Sequence, residues 1–341
     1  MRNDNRIITL PSNQNYPTSS SHCVDTSTAK CFSSKEFKGN PDLPTSNPTG
    51  QIDLTTDAYK SFASYVFDSC IFIDCKASYG GGIYLSVSSS SVMLKVTKGE
   101  FSSCKATKYE GGGIYVQGIG DVNVSNSLFC SCSCASEADY GGGGLDIWSI
   151  HNPPQIERCS FLSCKSENDA GGLGIWRALM YQETCVKACR FIGCTGSNTS
   201  NSYGGSLLVC YSNAAIGCSN TLFAHSHSEF RGGATAAEVY NSADHNTSIP
   251  LLCFCFFINN SAKAKPGNDV FFYEWIPNEP FFYCFSLTET DRVSPSGHDS
   301  RWLPLGTLSY LNTWDGEKTH SKTLTQTIPN YWQRSLDNMQ R

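Results

Sequence analysis

Short runs in which apolar and polar residues alternate recur along most of the chain. Two examples are VMLKV at residues 92–96 and VNVSNSLF at residues 122–129, both rich in β-branched or aromatic side chains. Alternation with a period of two predicts a β-strand, because successive side chains of a strand point to opposite faces of its sheet. The repeated segments do not follow the helical period of about 3.6 residues. The pattern therefore predicts an all-β fold.

These runs belong to a phrase that returns at a regular interval. In each copy a Phe is followed three residues later by a Cys, and a polar loop then leads to a glycine step such as GGGIYL at Gly80 or GGGIYV at Gly111. The Phe and Cys positions are Phe72 and Cys75, Phe101 and Cys104, Phe129 and Cys132, Phe161 and Cys164, and Phe191 and Cys194, with weaker copies at Phe223 and Ser226 and at Phe257 and Asn260. Successive Phe residues lie 28 to 34 positions apart, and a period of this size indicates a solenoid.

Each repeat has room for two or three short strands, which would stack on the equivalent strands of the next repeat at a spacing of about 4.8 Å. Parallel crossovers of this kind are almost always right-handed. The sequence therefore predicts a single right-handed parallel β-helix of about seven coils. The glycines are expected to turn a tight corner, and the Phe and Cys columns are expected to stack inside the core.

The two ends of the chain differ from the repeat. Residues 1–57 are rich in Ser, Thr, Asn and Pro and are predicted to be a polar, partly disordered segment. The β-helix domain is predicted over residues 58–290. Residues 291–341 lose the repeat and are predicted to form a cap followed by a polar tail, since an uncovered sheet edge invites aggregation.

The alternation of FxxN or FxxC with GGxI or GGxL, over roughly residues 62–287, resembles the repeat of chlamydial polymorphic outer membrane proteins. It is also similar to repeats of large β-helix surface proteins of protists. The resemblance implies a non-enzymatic, adhesin-like protein that is secreted or exposed at the cell surface, and it carries no catalytic residues to this chain. The first 21 residues show no ordinary signal peptide, so a cytoplasmic location is the alternative.

Composition narrows the classes of partner. The net charge is −5, from 25 basic and 30 acidic residues without a basic run, so nucleic acid is not expected as a partner. No stretch is apolar over the roughly 20 residues that a membrane span requires. The 18 Cys allow two interpretations, stacked core thiols or disulfides between coils. A metal site or cofactor is not predicted, since CxxC pairs and zinc-finger His spacing are missing and His225 and His227 have no evident third ligand.

The outward positions of the strands that follow the glycines help to distinguish an enzyme from a binding protein. The first column reads Tyr84, Tyr115, Asp146, Gly174, Leu208 and Thr235, and the second reads Ser86, Gln117, Trp148, Trp176, Cys210 and Ala237. Glycan-cleaving enzymes need clustered carboxylates, and these columns offer Asp146 alone, with Arg177 and Glu238 nearby. No catalytic residue is therefore predicted. The alternatives are a pectate-lyase-like enzyme acting on carbohydrate, or a repeat fragment of a larger membrane-anchored protein.

The same columns contain the residues predicted to bind a ligand. Tyr84, Tyr115, Trp148 and Trp176 are expected to form an aromatic stripe on the outer face, suited to a glycan or a protein partner. The alternative is that a loop or the N-terminal segment covers these side chains.

Overall fold

The computed structural model describes residues 23–40, 50–135, 141–176, 183–197, 203–210, 216–230, 232–238 and 252–263, together with the later strand residues 270–273, 281–286, 293–295, 310–314 and 319–323. Every regular element within these ranges is a β-strand, which confirms the predicted all-β class. The strands occur in the same order in each repeat, and four kinds can be distinguished by their place in it.

The post-glycine strands come first, and the approach strands follow them and lead toward the Phe. The post-glycine strands are Ile52–Asp53, Ile83–Thr97, Ile114–Ser125, Leu145–Trp148, Leu173–Trp176, Leu207–Cys210, Thr235–Glu238, Val270–Tyr273 and Val293–Pro295. The approach strands are Ala29–Ser33, Ser64–Asp68, Gln155–Glu157, Glu183–Lys187, Ile216–Ser219, Leu252–Ile258 and Phe281–Ser286. In two coils the post-glycine strand runs on without a break and takes the place of the approach strand as well.

The Phe strands and the short bridge strands complete each coil. The Phe strands are Glu36–Lys38, Ile71–Ile73, Glu100–Ser102, Leu128–Cys130, Ser160–Leu162, Arg190–Ile192 and Leu222–Ala224. The bridge strands are Lys76–Ala77, Lys105–Ala106, Ser133–Cys134, Lys165–Ser166, Thr195–Gly196, His227–Ser228 and Ser261–Ala262.

Each of these strands pairs in parallel with its equivalent on the neighbouring coil. The post-glycine, approach and Phe strands join one 25-stranded sheet, which also includes Tyr310–Trp314 and Thr319–Thr323, and the bridge strands form a separate sheet of seven, one from each successive coil. The prediction of a parallel β-helix is therefore confirmed. At the C-terminal end the pairing becomes antiparallel, where Tyr310–Trp314 joins Phe281–Ser286 and Thr319–Thr323.

A ladder of stacked Phe rings runs through the core. Phe101 and Phe129 lie 4.9 Å apart between ring centroids, and Phe129 and Phe161 lie 4.7 Å apart, with the rings nearly parallel. The ladder continues at similar spacing through Phe191, Phe223 and Phe257, and all of these side chains are buried. The predicted Phe column is confirmed.

The residue three positions after each Phe forms a second buried column, whose Cys and Asn members donate hydrogen bonds to the preceding coil. The thiol of Cys132 donates to the carbonyl oxygen of Phe101 on the preceding coil, at 3.3 Å. The side-chain amide of Asn260 makes the same contact with the carbonyl oxygen of Phe223, at 3.1 Å. Cys and Asn therefore exchange at this position because each is a compact hydrogen-bond donor, a reason more specific than the small size that the sequence suggested.

Each coil also bends at two residues that take the left-handed backbone conformation without being glycine. Asn126 has a φ of 51° just before the Phe strand, and Ser131 has a φ of 54° just before the thiol column. The equivalent residues of most other coils do the same, and they are mainly Ser, Asn and Asp. Short polar side chains are among those that tolerate this conformation best, so the bends could have been recognised from their composition.

Each of the three glycines in one glycine step is required for a different structural reason. Gly111 has a φ of 72°, which disfavours any residue with a Cβ atom. A Cβ atom on Gly112 would lie 2.2 Å from the carbonyl oxygen of Gly143 on the next coil, and one on Gly113 would lie 2.9 Å from the ring of Phe129. The glycine step and the Phe are thus parts of one contact between coils.

The solenoid begins earlier than the predicted boundary at residue 58. Ala29–Ser33 pairs in parallel with Ser64–Asp68, and Glu36–Lys38 pairs with Ile71–Ile73, which places Phe37 on Phe72 at 4.6 Å. The letters FKGN at residues 37–40 match the FxxN form of the motif and are the sequence signal for this earlier start. A disulfide bond between Cys23 and Cys31 lies at this end of the chain.

Removing one ring from the Phe ladder should destabilise the whole solenoid. Phe129→Ala leaves a cavity between Phe101 and Phe161, and we expect the free energy of unfolding to fall by about 3–5 kcal/mol. Urea unfolding followed by circular dichroism measures the change. Glu100→Ala, at an exposed position of the neighbouring Phe strand, is the control and should change it by less than about 0.5 kcal/mol. If the two substitutions lowered the free energy of unfolding equally, the ring stack would not be a main source of stability.

Candidate functional site

The structure brings the four residues of the predicted aromatic stripe onto successive coils of one face. Tyr84 pairs with Tyr115, and two residues further along the strands Trp148 pairs with Trp176. Asp146 is the rung after Tyr115, and Gly174 is the rung after Asp146. The columns derived from the sequence are therefore correct across these coils.

The register of the next coil differs from the prediction by one residue. Leu208 pairs with Ala236 instead of Thr235, and Cys210 pairs with Glu238 instead of Ala237. Glu238 thus enters the second column by backbone register. It stands three coils beyond Asp146, or roughly 14 Å at about 4.8 Å per coil, which is too far for the paired carboxylates of a glycosidase. Arg177 lies outside the described residues.

Only part of the aromatic stripe reaches solvent. Trp176 is 0% exposed and Tyr115 is 5% exposed, whereas Tyr84 and Trp148 are half-buried. Trp176 packs against Leu208, Cys210 and other small or apolar side chains of the same outer face. The expectation of an exposed stripe therefore fails for Trp176 and Tyr115, and it holds in part for the other two residues.

The rings also turn their flat faces toward one another instead of toward solvent. The centroids of Trp148 and Trp176 are 5.5 Å apart with 23° between the ring planes, and those of Tyr84 and Tyr115 are 5.8 Å apart with 21°. Stacking along the solenoid axis occupies the faces, so a ligand that approaches from outside meets ring edges and hydroxyl groups. The expected stacking of sugar rings on these faces does not fit this arrangement.

Asp146 holds the two Trp side chains in place. The indole N–H of Trp148 donates to Oδ2 and that of Trp176 donates to Oδ1, both at 2.7 Å. The carboxyl group is 0% exposed, and this burial raises its pKa well above the usual value although the indole hydrogen bonds favour the ionised form. Gly174 leaves room for it, since a Cβ atom there would lie 2.4 Å from Oδ1. Asp146 therefore has a structural role.

A second Tyr ladder, which the sequence reading missed, lies beside the first. Tyr79 and Tyr109 stack at 4.1 Å with 11° between their planes, and Tyr79 also lies 5.5 Å from Tyr84. Both Tyr79 and Tyr109 are half-buried. They belong to the variable loops before the glycine steps, where no strand alternation marked them. The spacing of 30 residues between them was the available signal.

Gln117 adds a polar group at the edge of these rings. Its side-chain oxygen accepts hydrogen bonds from the hydroxyl of Ser86 at 3.0 Å and from that of Tyr115 at 3.3 Å. Within the described part of the chain, its amide nitrogen has no hydrogen-bond partner. We define the tyrosine patch as the half-buried side chains of Tyr79, Tyr84, Tyr109 and Gln117, which share the outer face of two adjacent coils.

Glu110 directly follows Tyr109 in the chain and is buried. Its side chain is 5% exposed, and desolvation raises the pKa of its carboxyl group to about 7. Its negative charge also acts on Asp146 and Tyr79 and raises the pKa of each. The two buried carboxyl groups therefore oppose each other's ionisation.

Of the two His residues considered as metal ligands, His227 makes one polar contact with the next coil and one within its own. His227 contacts the hydroxyl of Ser261 through Nδ1 at 2.9 Å and the carboxylate of Glu229 through Nε2 at 3.3 Å. His225 is exposed in a left-handed bend. Among the described residues, no group of three or more His, Cys, Asp or Glu is placed to hold a metal ion.

Comparison with known proteins identifies no relative, since no protein-family model, curated protein or solved structure matches the chain. The likeness to polymorphic outer membrane proteins therefore rests on the repeat motif alone. No helix in the described part of the chain is long and apolar enough to cross a membrane.

Replacing Glu110 should make the protein less sensitive to pH. Its pKa in the fold, about 7, lies above the usual 4.5, so its favourable contribution is complete below pH 4.5 and is lost as the pH rises to 7. Glu110→Gln should therefore raise the free energy of unfolding at pH 8 relative to pH 5, by on the order of 2 kcal/mol. Urea unfolding at the two pH values measures this difference. The exposed Glu100→Gln is the control, and a pH-independent effect of Glu110→Gln would refute the assignment.

Filling the space over Gly174 should disrupt the contact between Asp146 and the two indoles. A Cβ atom there would lie 2.4 Å from Asp146 Oδ1 and 2.7 Å from Trp176 Nε1, so Gly174→Ala should lower the free energy of unfolding by about 2 kcal/mol or more. Trp fluorescence reports the change in the surroundings of the two indoles, and urea unfolding measures the change in the free energy of unfolding. In the Asp146→Ala background the same substitution should cost less, and equal costs in both backgrounds would show that the carboxylate is not the obstacle.

Proposed function

We propose that this chain is a non-enzymatic, adhesin-like protein that binds glycans through the tyrosine patch on the outer face of its β-solenoid. The observation that carries the proposal is the patch itself. Three half-buried Tyr side chains and a carboxamide with an available donor lie together on two coils of a rigid parallel sheet. Ring edges, hydroxyl groups and an amide form a polar surface that can hydrogen-bond to sugar hydroxyls.

A glycan suits this surface better than a folded protein partner. Stable protein interfaces have an apolar core, usually within about 1,200–2,000 Å² of buried surface. Such an apolar core is not seen at the patch. Among the side chains that the structure describes, Val24 is the exposed large hydrophobic residue, at 74%, and it lies near the N-terminal end of the solenoid. The patch must therefore recognise a ligand mainly through hydrogen bonds and the edges of its Tyr rings. Sugars suit such a surface because they carry many hydroxyl groups.

The state of Asp146 supports binding over catalysis. Both of its carboxylate oxygens accept indole hydrogen bonds, and the group is shielded from solvent. A glycosidase requires a pair of carboxyl groups on either side of a scissile bond. Asp146 instead supports the aromatic ladder, and Glu110, the carboxyl group that acts on it, is only 5% exposed, so neither group is accessible to the glycosidic bond of a bound glycan. The repeat motif adds the expectation of a secreted or surface-exposed protein, by its resemblance to polymorphic outer membrane proteins.

Binding should depend on the tyrosine patch and not on other aromatic side chains. The full-length chain would be applied to a glycan microarray and the affinity for each bound glycan determined by titration. Tyr79→Ser should lower that affinity at least about tenfold, equivalent to about 1.4 kcal/mol. Tyr203→Ser is the matched control, because Tyr203 precedes Gly204 as Tyr79 precedes Gly80 but lies on a coil far from the patch.

Two results would contradict the proposal. The first is the absence of binding to any glycan on the array by a chain whose unfolding transition is intact. The second is binding that Tyr79→Ser and Tyr203→Ser weaken equally. The unfolding transition of each variant separates loss of contact from loss of the fold.

A further inference from the structure

Five Cys side chains form an unbroken column through the core, which we call the thiol ladder. Its rungs are Cys75, Cys104, Cys132, Cys164 and Cys194. The column then continues with Ser226 and Asn260, which cannot form disulfides. All five thiols are fully buried and stand as free cysteines in the structure. The functions considered above make no use of this column.

Adjacent rungs are close enough to react with each other. On either side of the first two rungs, Ile73 pairs with Ser102 and Lys76 pairs with Lys105, so Cys75 and Cys104 are held in register on neighbouring coils. Strands in this relation are about 4.8 Å apart, within the range of about 4.4–6.8 Å between Cα atoms that disulfides span. Each thiol of the ladder also shifts the pKa of the next one, as groups in close proximity do.

We propose that the thiol ladder is a disulfide-forming site, in which adjacent rungs become cross-linked when the chain folds in an oxidising compartment. The co-reactant is a low-molecular-weight disulfide such as oxidised glutathione. One Cys thiolate attacks it, forming a mixed disulfide and releasing one glutathione thiolate, which takes up the first proton. The neighbouring Cys thiolate then displaces the second glutathione, so two thiols are oxidised to one disulfide while one glutathione disulfide is reduced to two thiols.

The burial of the ladder determines when this reaction occurs. In the finished fold all five rungs are 0% exposed, which shields them from any soluble disulfide. Cross-links therefore form while the coils are assembling. Each closes a loop of about one repeat, which reduces the freedom of the unfolded chain and locks one coil to the next.

The number of rungs limits the products. Because five thiols stand in one line and only neighbours touch, a chain can carry at most two ladder disulfides and must retain one ladder thiol. Cys132 is the middle rung. Cys132→Ser would divide the ladder into two isolated pairs, and the products should then be Cys75 joined to Cys104 and Cys164 joined to Cys194, with no ladder thiol left over.

The test compares the full chain secreted through the oxidising compartment of an expression host with the same chain made in a reducing cytosol. Free thiols are blocked with N-ethylmaleimide in denaturant before digestion, so that buried thiols react as well, and cross-linked peptides are mapped by mass spectrometry without reduction. We expect cross-links between adjacent rungs in the secreted chain alone, and a higher melting temperature that reductant lowers. Cys132→Ser should convert the mixture of pairings into the two expected products.

The disulfide of Cys23 and Cys31 serves as an internal control. Oxidised glutathione is added during folding until that bond is found in the peptide map. Recovery of all five ladder cysteines as alkylated thiols from such a preparation would overturn the proposal. Cross-links between rungs that are not neighbours would overturn it as well. Neither result bears on glycan binding, because the tyrosine patch lies on the outer face and the ladder lies in the core.

Discussion

Every coil of this protein is fixed by contact with the next coil at the spacing of one β-strand. Parallel strands lie about 4.8 Å apart, and the Phe rings from Phe37 to Phe257 stack at 4.6 to 5.1 Å, so backbone pairing and ring packing are satisfied by the same translation. The glycine step permits this approach, since a Cβ atom on Gly112 or Gly113 would collide with the next coil. FxxC and GGG recur together because each supplies one side of that contact.

The same translation shapes the outer face. Side chains that follow one another at strand spacing stack on their equivalents, so the rings of Trp148 and Trp176 and those of Tyr84 and Tyr115 turn their faces along the axis. A ladder of this kind presents edges, hydroxyl groups and neighbouring amides to a ligand. Asp146 occupies one position of this ladder, where its carboxyl group accepts hydrogen bonds from two indoles. Gly174 on the next coil leaves the space that this carboxyl group needs.

In the column three residues after each Phe, the reactivity of the core depends on which residue donates the hydrogen bond to the preceding coil. Cys132 and Asn260 make equivalent contacts with carbonyl oxygens of the preceding coil, so either residue satisfies the fold. A column of Asn would be chemically inert, whereas a column of Cys also places oxidisable groups next to each other. The tyrosine patch and the thiol ladder are thus both consequences of stacking, one on the outside of the solenoid and one on the inside.

The repeat by itself determined the fold class, the core columns and most of the register, because a period of about 30 residues with inward Phe and Cys admits one way of stacking. It also placed Tyr84, Tyr115, Trp148 and Trp176 on one face, since alternation along a strand decides the side. Only the tertiary structure decided which of these side chains reach solvent and how their rings are turned. Alternation records the direction of a side chain, whereas burial and ring orientation depend on neighbours one coil away. Asp146 shows the difference, because it points outward by sequence and yet is sealed by two indoles, one of which belongs to the next coil.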